Sequence, residues 1–165
     1  MKQGIKGAFF ATLLVLLMGC ANNAPVNDSA SASASQEEAK QKRVISTGSS
    51  RSNAPLSQAI EIGGTLYISG QLGVDPATGK LAEGGIKEQT EQVLKNIGSI
   101  LSAAGYSYEN VVKSTCFLSD IANFADMNEV YGRFYTIDPP ARSAFAVKDL
   151  PMKDALIEIE TIAVK

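Results

Sequence analysis

The chain has 165 residues, 45% hydrophobic and 19% charged, the composition of a folded domain and not of a disordered segment. Lys and Arg total 15 against 17 Asp and Glu, a formal net charge of −2 that offers no basic surplus to a nucleic-acid backbone. Histidine is absent, which excludes imidazole triads, histidine metal sites and imidazole acid–base work, so proton transfer near neutral pH falls to Glu, Asp, Lys, Tyr, Cys, backbone or water.

Residues 1–19 read as an export signal. Lys2 and Lys6 form a positive start, and Ala8 to Met18 is an apolar stretch too short to span a bilayer, which needs ~20 residues. The stretch ends in Leu17-Met18-Gly19-Cys20, which resembles a bacterial lipobox and implies a lipid on the Cys20 thiol. Acyl chains there would anchor the chain to a membrane. By resemblance to Gram-negative sorting signals, Ala21-Asn22 after that cysteine implies the periplasmic side of an outer membrane, within the bacterial cell envelope. Residues 20–43, rich in Ala, Ser and Asn and then in Glu, Gln and Lys, read as a flexible tether with room for a short helix over Gln36 to Arg43.

The folded domain is expected over 44–165. Ser57 to Ile62 and Thr65 to Ser69, joined by Gly63-Gly64, predict a hairpin. Asp75 to Gly79 is a turn. Ile86 to Ala104 predicts an amphipathic helix with Val93, Ile97, Ile100, Leu101 and Ala104 inward and Gly105 as its stop. A strand over Asn110 to Leu118 holds Cys116, read as a buried inert thiol. It also holds Lys113, read as solvated. A second helix is expected over Ile121 to Tyr135, with Phe124, Met127, Val130, Tyr131 and Phe134 on one side. Pro139-Pro140 breaks the chain before two last strands, Arg142 to Lys148 and Ala155 to Val164. The order predicts an α+β domain: one mixed sheet with two helices on one face. The other face, expected to carry Ala144, Ala146, Leu156 and Ile162, is too apolar for solvent and implies covering by further copies of the chain.

No phosphate loop, dinucleotide fingerprint or Cys/His metal cluster is present. The charges that stand out are Arg142, opening a strand after two prolines, and Glu158 and Glu160, two apart on the last strand. Glu158 and Glu160 project from one face, away from Ile157 and Ile159. An ionised group in such a strand is costly unless it is paired or used. By residue type alone a structural Arg–Glu pair, or glutamates at a wet edge, remain open beside a site.

Several segments together resemble the reactive intermediate deaminase (Rid/YjgF) family. They are Tyr67-Ile68-Ser69-Gly70-Gln71, Asp75-Pro76-Ala77-Thr78-Gly79, Val93-Leu94-Lys95-Asn96-Ile97, Phe124-Ala125-Asp126-Met127-Asn128, Pro140-Ala141-Arg142-Ser143 and Ile157 to Val164. The resemblance implies a chorismate-mutase-like fold and a homotrimer with clefts between subunits. It also implies hydrolysis of 2-imino acids, the enamine/imine intermediates, to 2-oxo acids and ammonia, without cofactor or metal. On that pattern Arg142 clamps the substrate carboxylate and Glu158 directs the attacking water. Ser69 and Asn128 match further cleft positions, and the backbone near Ala144 faces the imine nitrogen. Two positions depart. Leu56 stands where active members usually carry tyrosine, and Ala144 where many carry cysteine. Leu56 removes a wall and a hydroxyl from the cleft, so a non-catalytic module for small carboxylates stands as an alternative. An envelope protein with a chaperone-like role is a third reading.

Overall fold

The computed structural model describes residues 41–48 and 55–165. The export signal, Cys20 and most of the tether lie outside the described residues. Strand β1 (Arg43–Ile45) opens the fold, so Arg43 belongs to a strand and the helix expected to end there does not include it. Its formation has a local cause: the Arg43 guanidinium is bound by Glu61 on the next strand, which also accepts from Tyr106 at 2.9 Å. β2 (Ala59–Ile62) and β3 (Thr65–Leu72) form the expected hairpin. Gly63 and Gly64 have φ of 56° and 74°, a left-handed pair that lets a two-residue turn follow the strand twist. Helix α1 (Ile86–Ala104) has the predicted bounds and buries each of its five expected core residues. β4 (Val111–Leu118) follows, then a short 3₁₀ turn (Ile121–Asn123) capped by the Asp120 side chain, helix α2 (Phe124–Phe134), β5 (Ala141–Ala146) and β6 (Ile157–Val164).

The strands lie in the order β1-β2-β3-β6-β4-β5, antiparallel except for the β4–β5 pair, with β5 at an edge. Among the described residues no helix is long and apolar enough to cross a membrane. Val93, Leu94, Ile97 and Leu101 of α1 and Met127 of α2 pack on Leu66, Cys116, Leu118, Ile157 and Ile159 of the sheet. Full burial of such side chains contributes roughly 1.5–3 kcal/mol each. Phe124 departs from the expected core face and is exposed.

The opposite face is partly apolar, as expected, but its residues differ from those expected. Ala144 and Ala146 are in register with Cys116 and Leu118, both fully buried under the helices, so they take the helix side. Leu156 precedes β6 and packs against the core. Only Ile162 keeps its expected place, in register with Tyr67. The phase of β5 is set by its parallel register with β4, which a strand's own alternation does not reveal. The open face instead carries Tyr67, Phe117, Phe145 and Val164, with the Phe117 and Phe145 rings edge-on at 5.4 Å.

Candidate functional site

Glu158 sits on β6 between Ile157 and Ile159, both fully buried, so its side chain leaves the sheet on the open face as the alternation predicts. On the neighbouring strand the register shifts between Ile68 and Gln71, leaving Ser69 and Gly70 together opposite Glu160. This bulge brings the Gly70 backbone against the carboxylate. A Cβ placed on Gly70 would lie 1.8 Å from Glu158 Oε1, so only glycine leaves the acid its position. Burial pushes the Glu158 carboxyl above its ordinary value, and the like charge of Glu160 adds to the rise. A cavity of about 610 Å³ opens beside it, walled in part by Leu56, Leu72, Val74 and Met152. A half-buried carboxyl whose proton affinity is raised, at the side of a cavity, suits a general base working near neutral pH.

Arg142 is built from other elements. It is in register with buried Ser114, so it leaves β5 on the helix side and crosses the face of α2. Its guanidinium carbon lies 4.4 Å from the Tyr131 ring centroid and 5.8 Å from that of Phe124. One nitrogen donates to Asn128 Oδ1, and another lies 3.9 Å from Met127 Sδ. Four side chains of one helix therefore hold the group, yet among the described residues no carboxylate pairs with it. A half-buried guanidinium fixed by aromatic faces and one amide, with its charge uncompensated, is ready for an anionic group such as a carboxylate.

The structural Arg–Glu pair left open by residue type is therefore not formed. Ser114 is in register with Thr161, which lies on the helix side with Ile157 and Ile159, so Arg142 and Glu158 project from opposite faces of the same sheet. Asn128 joins Arg142, and Ala144 follows two residues on along β5. Leu56 joins Glu158 at the rim of the cavity, where its side chain is exposed. Ser69 does not line that cavity. Its hydroxyl donates to the Ser57 carbonyl at 2.7 Å and its amide to the Gln58 carbonyl at 3.0 Å, which fixes the segment carrying Leu56.

The family model described as endoribonuclease L-PSP matches residues 47–165. The chain belongs to this family, the Rid/YjgF family. The human 2-iminobutanoate/2-iminopropanoate deaminase is 46% identical over 125 residues, covering 75% of this chain and 90% of the human protein. The chloroplastic Reactive Intermediate Deaminase A of Arabidopsis thaliana is 42% identical over 161 residues, covering 97% of this chain and 83% of the plant protein. Among solved structures, E. coli TdcF with bound serine is similar with a TM-score of 0.69 at 35% identity, covering 74% of this chain and 98% of that one. The mixed sheet carrying two helices is thus the family's fold.

Other titratable side chains fall outside both clusters. Burial pushes the Cys116 thiol up to about 11, opposed by the nearby Arg142, and its side chain is fully buried, as an inert thiol requires. Lys113 reaches the Ser143 hydroxyl at 2.9 Å, and Asp75 accepts from the Ala77 amide at 2.8 Å within its turn. Sequence reasoning missed the role of Gly70, whose signal was a glycine inside a strand pattern. Nor does the sequence reveal the cradle of Phe124, Met127 and Tyr131 around Arg142, of which Met127 and Tyr131 are also buried in the core as expected.

Proposed function

We propose that the chain hydrolyses 2-imino acids to 2-oxo acids and ammonia, at sites that each join Arg142 of one copy to Glu158 of another. The observation that supports this reading is the division of the two groups between opposite faces of one sheet, each incomplete alone. The imine deaminase names of the human and plant relatives agree with the reaction, and serine in the similar TdcF structure is a ligand of the same size class. A homotrimer would close three such sites and cover the apolar open face.

In the proposed reaction Arg142 holds the substrate carboxylate, with Asn128 fixing the guanidinium. Backbone at Ala144 faces the imine nitrogen. Glu158 takes a proton from water as the water oxygen bonds to the imine carbon. The C=N π electrons move to nitrogen, giving a carbinolamine. The proton held by Glu158 passes to that nitrogen. As the C–N bond breaks and ammonia leaves, Glu158 takes the hydroxyl proton, leaving the carbonyl of the 2-oxo acid, and then releases that proton to the departing ammonia or to water. A protonated imine is already electrophilic, so orientation and one base supply what the reaction needs. An RNA strand suits the place less well, because its phosphates would meet Glu158 on a chain of net charge −2. Export and lipid attachment at Cys20 complete the proposal, on the strength of the leader sequence alone.

The test is 2-oxo acid release from imines generated in situ by an amino-acid oxidase. Arg142→Ala and Glu158→Gln should each abolish acceleration. Unfolding and co-refolding the two variants in equal amounts should restore about a quarter of the wild-type sites if each site takes one residue from each of two copies. No acceleration by wild type above the free-solution rate would sink the reaction. No recovery in the mixture would place both residues in one copy. Binding of 2-oxo acids without turnover would select the carboxylate-binding module that Leu56 favours.

A further inference from the structure

Resting on the reaction just proposed, we infer that the cavity beside Glu158 selects substrates by their side chain and takes imino acids with larger apolar chains, of leucine or methionine size. Its apolar wall is formed by Leu56, Leu72, Val74, Ile100, Pro151 and Met152, contributed by four separate segments of the chain. Its volume in the single chain, about 610 Å³, is that of a ligand site and leaves room beyond the one- or two-carbon side chain of a small imino acid.

The polar side chains in the wall are already engaged. Asn96 Nδ2 donates to the Leu72 and Val74 carbonyls at 3.1 and 2.8 Å, and its Oδ1 accepts from Gln92. Gln71 Nε2 donates to the Ser69 carbonyl at 2.8 Å. Gln58 and Thr47 bind one another, the Thr47 amide donating to Gln58 Oε1 at 2.7 Å. Ser99 Oγ donates to the Lys95 carbonyl at 3.1 Å. With both Asn96 N–H groups and the Ser99 hydroxyl proton donated within the chain, the wall offers a polar substrate chain few free donors.

Charge narrows the choice further. Glu158 is the only ionisable group among the described residues lining the cavity. A substrate chain ending in a second carboxylate would meet that acid with no lining cation to offset it. Leu56 fits the same reading. Where the family pattern has a tyrosine, leucine exchanges a hydroxyl for apolar surface at the mouth of the cavity. Met152, unbranched and adaptable, can follow chains of different shape.

The experiment compares both turnover and binding. Imines made by oxidase from leucine and methionine should be hydrolysed with kcat/KM about tenfold or more above the imine from alanine. Calorimetry on the same protein should rank 4-methyl-2-oxopentanoate above pyruvate by a similar factor, with 2-oxoglutarate weakest. Leu56→Ser and Met152→Ala should each shrink the leucine-to-alanine ratio. Equal rates for the leucine and alanine imines, or pyruvate or 2-oxoglutarate binding as tightly as the branched acid, overturn the side-chain assignment while leaving deamination standing. Absence of all turnover with the branched acid still preferred in calorimetry does the reverse: it removes the reaction and supports the cavity's selectivity.

Discussion

Gly70→Ala tests the site at its most sharply defined contact. The new methyl carbon would stand 1.8 Å from Glu158 Oε1, 2.8 Å from Cδ and 3.1 Å from Cγ. Ordinary contacts of this kind sit near ~3.5 Å, so the carboxylate must retreat by roughly 1.7 Å. The backbone has no need to move, because Gly70 is not among the glycines with positive φ and the atom it would strike belongs to a rotatable side chain. The variant should therefore fold, with a melting temperature within a few degrees of wild type. Its kcat should not survive: a misplacement of ~1 Å costs on the order of 10²-fold, and loss of a positioned base costs ~10²–10⁴-fold. The expected result is a kcat reduced about 10²-fold or more for imine hydrolysis. Adding Gly70→Ala to Glu158→Gln should produce no further loss, since both act on one group. A folded Gly70→Ala enzyme within about threefold of wild-type kcat would refute the reasoning, because the base would then work from a place the contact forbids.

Glu160→Gln removes the like charge that helps raise the Glu158 carboxyl, so the acid limb of the kcat/KM profile should move to lower pH. Because the folded chain holds the Glu158 proton more tightly than the unfolded chain, this group's contribution to stability is present at low pH. It is lost as pH rises through the raised value, so Glu158→Gln should flatten that slope in melting curves taken across the acid range. Tyr131→Leu takes away the ring 4.4 Å from the Arg142 guanidinium and should raise KM several-fold more than it lowers kcat, with Tyr131→Phe restoring most of the loss. Cys116, fully buried and with its thiol pushed up to about 11, should resist alkylation at pH 8 in the native protein and react on unfolding, as mass spectrometry would show.

The elements that sequence made legible are those whose signal is local. The diglycine turn at Gly63-Gly64, the inward series from Val93 to Ala104 and the alternation of Ile157-Glu158-Ile159 each specify their own geometry, and each is found as expected. Where a neighbour decides, the reading failed. The face taken by Ala144 depends on pairing with Cys116, and the strand at Arg43 depends on Glu61, eighteen residues away. Phe124 and Tyr131 carry the helical spacing of core residues. Nothing in that spacing reveals that Arg142, arriving from a strand across the fold, lies over both rings. Leu56 and Ser69 were legible as site positions only through the family pattern. That Ser69 serves the loop bearing Leu56, through the Ser57 carbonyl, is a tertiary fact.

The charges that first stood out share an energetic logic. Glu158 is held where ionisation is disfavoured, and Arg142 where its charge has no described carboxylate to meet. Each is a cost to the single folded chain, since a half-buried charge gives up solvation that no counter-charge offsets. A protonated 2-imino acid carries the two missing complements on adjacent carbons: a carboxylate for the guanidinium and a cationic C=N unit beside the carboxyl. One substrate would therefore relieve both, and it could do so only where the two faces meet. A stable 2-oxo acid product supplies the carboxylate without the cation. It should relieve Arg142 alone, so its binding should depend on Arg142 far more than on Glu158, and Arg142→Ala should weaken it the more strongly of the two variants.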